Sequence, residues 1–319
     1  MDPFLGDEAL RQAVVRLNNG DHTPLADLLQ QAPPYSVALL SLMSDSVSFD
    51  LDALDHWAFQ DPSPAAYVVR SVARIGQAWH ARGRRMAKKV DQESWSTFFA
   101  ILQKAEDDLA RAYELDSSDH HVASVSLVTG RGLQLGRQEI EARFEAAQAA
   151  APFNPVALSE YLQSLCPKWG GSVEELLALD RACQQAPPPH VYAYGMLPMA
   201  RLEVAGDRDP QLKVADGYLA RPKIAAELEA GAVQLLHAMG CDPSRPVDPA
   251  HPVPREALFP LNCFYLTLTK DIKYKGAGRE LAQRCRELIR GIPTELPWRY
   301  FAGGAESAGL AKVDATFFA

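Results

Sequence analysis

The sequence predicts an all-α chain: a right-handed α-α superhelix of stacked helical hairpins with a helical C-terminal extension. Three observations lead there. First, the middle third repeats with a period of 35 residues: Leu109, Phe144 and Leu179 share one register, Ala112, Ala147 and Ala182 another, and Ser117, Pro152 and Pro187 a third. A bulky residue, a small one and then a breaker describe one helix end met three times, and a period in the thirties signals stacked hairpins. Second, capping residues and prolines mark helix starts and stops along most of the chain. Third, no stretch alternates apolar and polar residues in the manner of strands.

The first 62 residues read as an N-terminal cap of short helices. A helix over Ala9 to Asn18 stops at Gly20, and Thr23 caps a second with Pro24 in its first turn. Asp45, Asp50, Asp52 and Asp55 fall in a Ser-rich stretch that reads as loop and helix start.

Residues 63–206 read as the repeat region. Ser63 caps and Pro64 opens a helix whose inner face is Val68, Val72, Ile75 and Trp79, closed by Gly83. The run Arg82, Arg84, Arg85, Lys88 and Lys89 is read as a solvated helix end, with an anion or acidic-partner contact as the alternative. Asp91 starts the next helix, whose face is Trp95, Phe98, Phe99, Leu102, Ala105, Leu109 and Ala112. His121 to Leu133 and Glu139 to Ala150 form the following hairpin, with Phe144 and Ala147 inward; Phe144→Ala is expected to cost about 3–5 kcal/mol. Asn154-Pro155 opens another hairpin, lined by Leu158, Leu162 and Leu165. Ser172 and Glu175 form a capping box for its second helix, which Pro187 to Pro189 end.

Residues 207–319 read as the extension. Leu235, Ala238 and Pro243 reproduce the register after an insertion, a proline-rich linker runs to Pro254, and helices follow over about Arg255–Thr269 and Ala277–Arg290. The aromatic tail, with Trp298, Tyr300, Phe301, Phe317 and Phe318, is expected to fold back on the body as a cap.

The chain has 319 residues, 47% of them apolar and 23% charged, which is globular composition. Its net charge of −8 argues against a dedicated nucleic-acid binder and against an anionic membrane surface. The start, MDPFLGDEALRQ, lacks the marks of a secretory signal, and no apolar run approaches a bilayer span. Five scattered cysteines without a CxxC pair fit a reduced, cytoplasmic compartment.

The pattern Ala105, Leu109, Ala112, with its counterparts Phe144, Ala147, Pro152 and Leu179, Ala182, Pro187, resembles the second helix of tetratricopeptide repeats. The first helices, over Val122–Leu133 and Val156–Cys166, depart from the Trp, Leu, Gly and Tyr spacing of that repeat, so the hairpins are TPR-like. A closer resemblance covers Ser63 to Pro187. The string Pro167-Lys168-Trp169-Gly170-Gly171-Ser172, with Trp79-His80-Ala81-Arg82-Gly83 and Trp95…Phe98…Leu102…Ala105, is similar to a bacterial TPR-like family of unknown function. The resemblance implies an all-helical cytoplasmic bacterial protein and no catalytic residue.

Candidate chemistry is sparse. Asp119, His120 and His121 lack the spacing that puts two metal ligands on one helix face, and read as a solvated helix start with Asp119 near the cap. Cys166 or Cys241 with His190 or His237 has no supporting spacing for nucleophilic chemistry, and no Gly-rich phosphate loop is present. No catalytic residue, metal ligand or cofactor is assigned. The expected function is a non-catalytic protein- or peptide-binding module, an adaptor or scaffold. Its partner contacts would be Tyr161, Lys168, Trp169, Tyr192 and Tyr194, and its partner one with basic character. For Trp169 the other reading is a ring folded over the hairpin end; for each Tyr it is a place in the core. The alternative function is an enzyme or enzyme accessory subunit with its site between the repeats and the extension.

Overall fold

The computed structural model describes residues 2–31, 36–43, 47–83, 87–188, 190–208, 217–269, 277–302 and 306–317. Among these there are sixteen α-helices and no strand, so the chain is all-α. No helix among them is long and apolar enough to cross a membrane. The chain forms two compact units. One runs from Gly6 to Tyr161; the other comprises Leu162–Ala319 together with Met1–Leu5.

The N-terminal unit contains α1 (Glu8–Asn18), α2 (Thr23–Gln30), α3 (Ser36–Leu42), α4 (Leu51–Gln60), α5 (Pro64–Arg82), α6 (Gln92–Leu115), α7 (His120–Gly132), α8 (Arg137–Ala150) and most of α9 (Pro155–Ser164). Its starts follow the expected chemistry. Ser63, Asp91 and Asp119 each accept backbone N–H bonds in the first turn of the helix they precede, Asn154 does the same for Val156 and Ala157, and Gly83 closes α5 at φ +72°. Thr23 differs. It lies inside α2, the capping position belongs to His22, and Asp21 receives the Thr23 N–H.

α5 and α6 pack along their length, and α7 and α8 form the next pair. Val68, Val69, Val72, Ile75 and Ala78 of α5 and Phe98, Leu102, Ala105, Leu109 and Ala112 of α6 are all buried. Asp108 of α6 is buried among them at 3% exposure. It persists there because Arg70 and Arg74, one turn apart on α5, both donate to it at 2.6 Å. α7 reaches its neighbours through a missing side chain, since a Cβ on Gly132 would stand 2.5 Å from Leu102. Leu127, Ile140, Ala147 and Ala157 then form a shared core for α7, α8 and α9, with Phe144 and Tyr161 packed at its edge. Arg143 ties α8 to the two preceding helices by donating to Glu106 at 2.5 Å and to the Ser126 carbonyl at 2.6 Å.

The 35-residue register marks α6, α8 and α10 as expected, but its third copy changes phase. Leu109 and Ala112 are buried, Phe144 is partly and Ala147 fully so, and Leu179 is buried while Ala182 faces water. The inner stripe of α10 is Leu176, Leu179, Asp180 and Cys183. The residue four after Leu179, not three, turns inward there.

The C-terminal unit contains α10 (Val173–Cys183), α11 (Met196–Arg208), α12 (Pro222–Ala238), α13 (Arg255–Thr269), α14 (Ala277–Ile289), α15 (Glu295–Ala302) and α16 (Glu306–Phe317). Its axis is α13. Every residue from Ala257 to Thr269 is buried, and α11, α12, α14, α15 and α16 all pack on it. The buried amide of Asn262 is fully used. It accepts from the Trp298 indole N–H at 2.5 Å and donates to the carbonyls of Leu258 and Ile292 at 2.8 and 3.1 Å. α16 is fastened by Asp314, which accepts from the Tyr265 hydroxyl at 2.6 Å and from two Arg286 nitrogens at 2.7–2.9 Å. Of the aromatic tail, Trp298 is therefore core. The side chains of Tyr300, Phe301, Phe317 and Phe318 lie outside the described residues.

Candidate functional site

Tyr161, of the N-terminal unit, lies face to face with Phe144, ring centroids 3.8 Å apart, and is partly buried; burial pushes its phenol above the usual range. The other four candidate contacts belong to the C-terminal unit. Lys168 is exposed and paired at 2.9 Å with Glu203, which also accepts from Gln163 at 2.6 Å. Trp169 is partly buried in a short 3-10 turn over Pro167–Trp169. Tyr192 and Tyr194 are 4% and 6% exposed. Tyr192 stacks on Phe259 at 4.7 Å, and the Tyr194 hydroxyl donates to the Ala186 carbonyl at 2.9 Å. Both rings are buried in the packing around the 3-10 turn over Val191–Gly195, which is the place in the core named above as their other reading.

The PKWGGS segment is a tight connection. The Cys166 carbonyl accepts from Trp169 and Gly171, the Pro167 carbonyl accepts from Gly170, and Ser172 caps α10. Gly170 sits at φ +88°. Gly171 is constrained from outside, because a Cβ there would stand 2.1 Å from the Leu165 carbonyl oxygen.

Behind Tyr194 the C-terminal unit holds a charge cluster that the sequence did not reveal. Asp180 of α10 is 3% exposed, 3.8 Å from Arg201 of α11, which is itself bonded at 2.6 Å to Glu227 of α12. Burial raises the Asp180 carboxyl to about 6, and the Asp180 charge adds to burial in pushing the Cys183 thiol up to about 12. The Gln184 amide lies against Asp180 without a well-formed hydrogen bond. An open depression of about 300 Å³ lies beside it, lined by Gln184, Pro188, Tyr194, Gln234, His237 and Ala238. The unpartnered atoms of Asp180, Gln184 and Arg201 are all closed off from solvent.

His121 and four of the cysteines are occupied or suppressed. His121 is buried, its Nε2 3.1 Å from the Leu29 carbonyl, which corrects the solvated helix start expected for it; Asp119 does cap α7. Burial raises the thiols of Cys183, Cys241, Cys263 and Cys285, so each is held protonated. No group of three or more His, Cys, Asp or Glu among the described residues is placed to hold a metal ion.

One surface stands apart. At the C-terminal end of α5 and the start of α6, Trp79, Trp95 and Phe99 are only partly buried. Phe98 is their common floor, at 1% exposure. It meets Trp79 edge-on at 4.9 Å and Trp95 edge-on at 5.6 Å, while Trp95 and Phe99 stack at 5.4 Å. Two guanidiniums cover the rings. Arg82 lies 5.6 Å from the Trp79 centroid and 5.0 Å from that of Trp95, and Arg131 of α7 lies 5.3 Å from Trp79. Arg131 is anchored by Glu160 at 2.6 Å. Burial first, and then the charge of Arg131, lower the pKa of Arg82. The sequence reading had Trp79 and Trp95 as interior residues and Arg82 as a helix end. The available signal was the three-residue step from Trp79 to Arg82, which stacks a cation over the ring one turn back.

No family model, no curated protein and no solved structure matches this chain.

Proposed function

We propose that the protein is a non-catalytic protein- or peptide-binding module of TPR-like helical hairpins, an adaptor or scaffold of a bacterial cytoplasm. Its docking face is the Trp79–Trp95–Phe99 surface rather than the tyrosines. The observation that carries this reading is the arginine-covered aromatic cluster. Trp and Arg are the residue types that dominate binding energy at interfaces, and here rigid packing on Phe98 sets them before any partner arrives. The resemblance to the bacterial TPR-like family rests on the PKWGGS string; backbone crowding at Gly171 accounts for its second glycine.

The test is affinity capture from the native host with wild type and a Trp95→Ala/Phe99→Ala variant, followed by titration of the captured partner against both. Loss of the partner by the variant, at a melting temperature that still shows cooperative unfolding, supports the reading. A partner held equally by both proteins, or none enriched by wild type, overturns it.

A further inference from the structure

We infer that residues 242–253 are a docking element in their own right, a tandem of two like proline turns that enters a partner groove lined by Trp and Tyr. The inference goes beyond the Trp79–Trp95 surface and stands without it.

The sequence reads as a linker here, yet it holds one hexapeptide pattern twice: Asp242-Pro243-Ser244-Arg245-Pro246-Val247 and Asp248-Pro249-Ala250-His251-Pro252-Val253. Both copies take one shape. The Arg245 N–H donates to the Asp242 carbonyl at 3.1 Å, and the His251 N–H to the Asp248 carbonyl at 2.9 Å. In each turn the aspartate Oδ1 also accepts the N–H two residues on, from Ser244 at 2.9 Å and from Ala250 at 2.8 Å. Proline follows aspartate in both, where its fixed φ presets the turn. The copies face alike as well: Pro246 and Pro252 are exposed, Val247 and Val253 partly buried. The end of α14 holds the tandem in place. Glu287 accepts the Val247 N–H at 3.3 Å, and Arg290, one residue past α14, donates to the carbonyls of Pro249 and His251 at 2.8 and 2.5 Å. The His251 Nε2 lies 2.9 Å from the Met239 carbonyl. A linker needs only reach. This one has its backbone fixed and its prolines turned outward, so a partner that binds it has little chain left to order.

The hydrogen-bond inventory sets the chemistry of that partner. Proline has no N–H to give, and Ser244, Arg245, Val247, Ala250 and His251 have already committed theirs. The carbonyls of Pro246 and Pro252, which carry the exposed rings, accept no hydrogen bond within the described residues. A complementary groove therefore brings donors beside flat apolar faces. The Trp indole N–H and the Tyr hydroxyl are donors of that kind, and proline-rich segments dock on such rings. Six residues span at most about 20 Å, so one groove can hold both copies.

The experiment uses the full chain labelled with nitrogen-15, with the amide signals of Val247 and Val253 assigned. Two capped peptides are titrated, Ser-Trp-Gly-Trp-Ser and Ser-Leu-Gly-Leu-Ser. The expected result is that the Trp peptide alone moves the two valine signals. Its affinity should fall about tenfold in Pro246→Ala/Pro252→Ala and stay unchanged in Trp95→Ala/Phe99→Ala. The proline variant is checked for an unchanged melting temperature, and the wild-type comparison of the two peptides decides without it. Equal response to the Leu peptide overturns the inference, as does no response at these valines or an unaltered affinity in the proline variant. Sedimentation over a range of concentrations reads the other occupant. Self-association of wild type that the proline variant loses gives the tandem to a second copy of this chain and removes the outside partner.

Discussion

Phe144 and Tyr161 lie parallel within 7°, their rings 3.8 Å apart, and close the edge of the core shared by α7, α8 and α9. A tyrosine expected to meet a partner thus holds its own unit together. Because Phe144 keeps part of its surface in water, Phe144→Ala should cost about 2–3 kcal/mol, below what full burial implies. Tyr161→Ala should cost a similar amount. The double variant should show a coupling of about 1 kcal/mol, measured by urea denaturation.

Asp180 makes the C-terminal unit sensitive to pH. Its carboxyl stands at about 6 in the folded chain against 3.8 as the reference value, so the native state binds this proton more readily than the unfolded one. Stability from this group is therefore full only below the reference value of 3.8 and is lost as pH rises from there through about 6, by about 3 kcal/mol in all, of which about half remains to be lost above pH 5. Arg201, Glu227 and Arg181 are the charges that act on it. Comparing wild type with Asp180→Asn by denaturant unfolding at pH 5 and pH 7.5 isolates the effect. The stability difference between the two proteins should shift toward the variant at the higher pH.

His121 gives the N-terminal unit the opposite response. Burial first, and the neighbouring His120 charge second, hold its pKa below the reference value of 6.5. The neutral ring is thus the native form, and the stability it supports is intact above 6.5 and lost as pH falls. The protection of amides in α2 and α7 against hydrogen exchange, relative to the intrinsic rate at each pH, should fall on acidification in wild type. His121→Asn should remove most of that pH dependence.

The two glycines of PKWGGS should respond unequally. Gly170 has open space around it and only a left-handed backbone to satisfy, so Gly170→Ala should cost about 1 kcal/mol. Gly171→Ala drives a methyl into the Leu165 carbonyl and should cost more than about 3 kcal/mol. Melting temperatures of the two variants decide it.

Most helix starts were legible because caps are local chemistry. Ser63, Asp91, Asp119, Asn154 and Ser172 each satisfy N–H groups within three residues, and no distant part of the chain has a say in that. The span of α13, Arg255–Thr269, was read from the sequence as well. What escaped depended on partners far along the chain. Asp108 and Asp180 are buried because arginines from other helices reach them, by 34–38 residues in the first case, and composition alone assigns such carboxylates to the surface. The phase change at Ala182 follows from Asp180, since drawing that carboxylate inward rotates Cys183 in after it. Tyr192 and Trp95 show the same limit from the other side. Both are amphipathic, and only the arrangement around them decides which is walled in and which stays at the rim.

A helix enclosed on every side offers no periodic relief to substitution. From Ala257 to Thr269 a systematic replacement scan should give a flat band of intolerance rather than a wave that returns every three or four positions. A polar residue introduced anywhere along it has no water to turn toward. Drift by neutral change is thereby closed off in this segment, and the freedom to vary in the C-terminal unit falls to the helices that surround it.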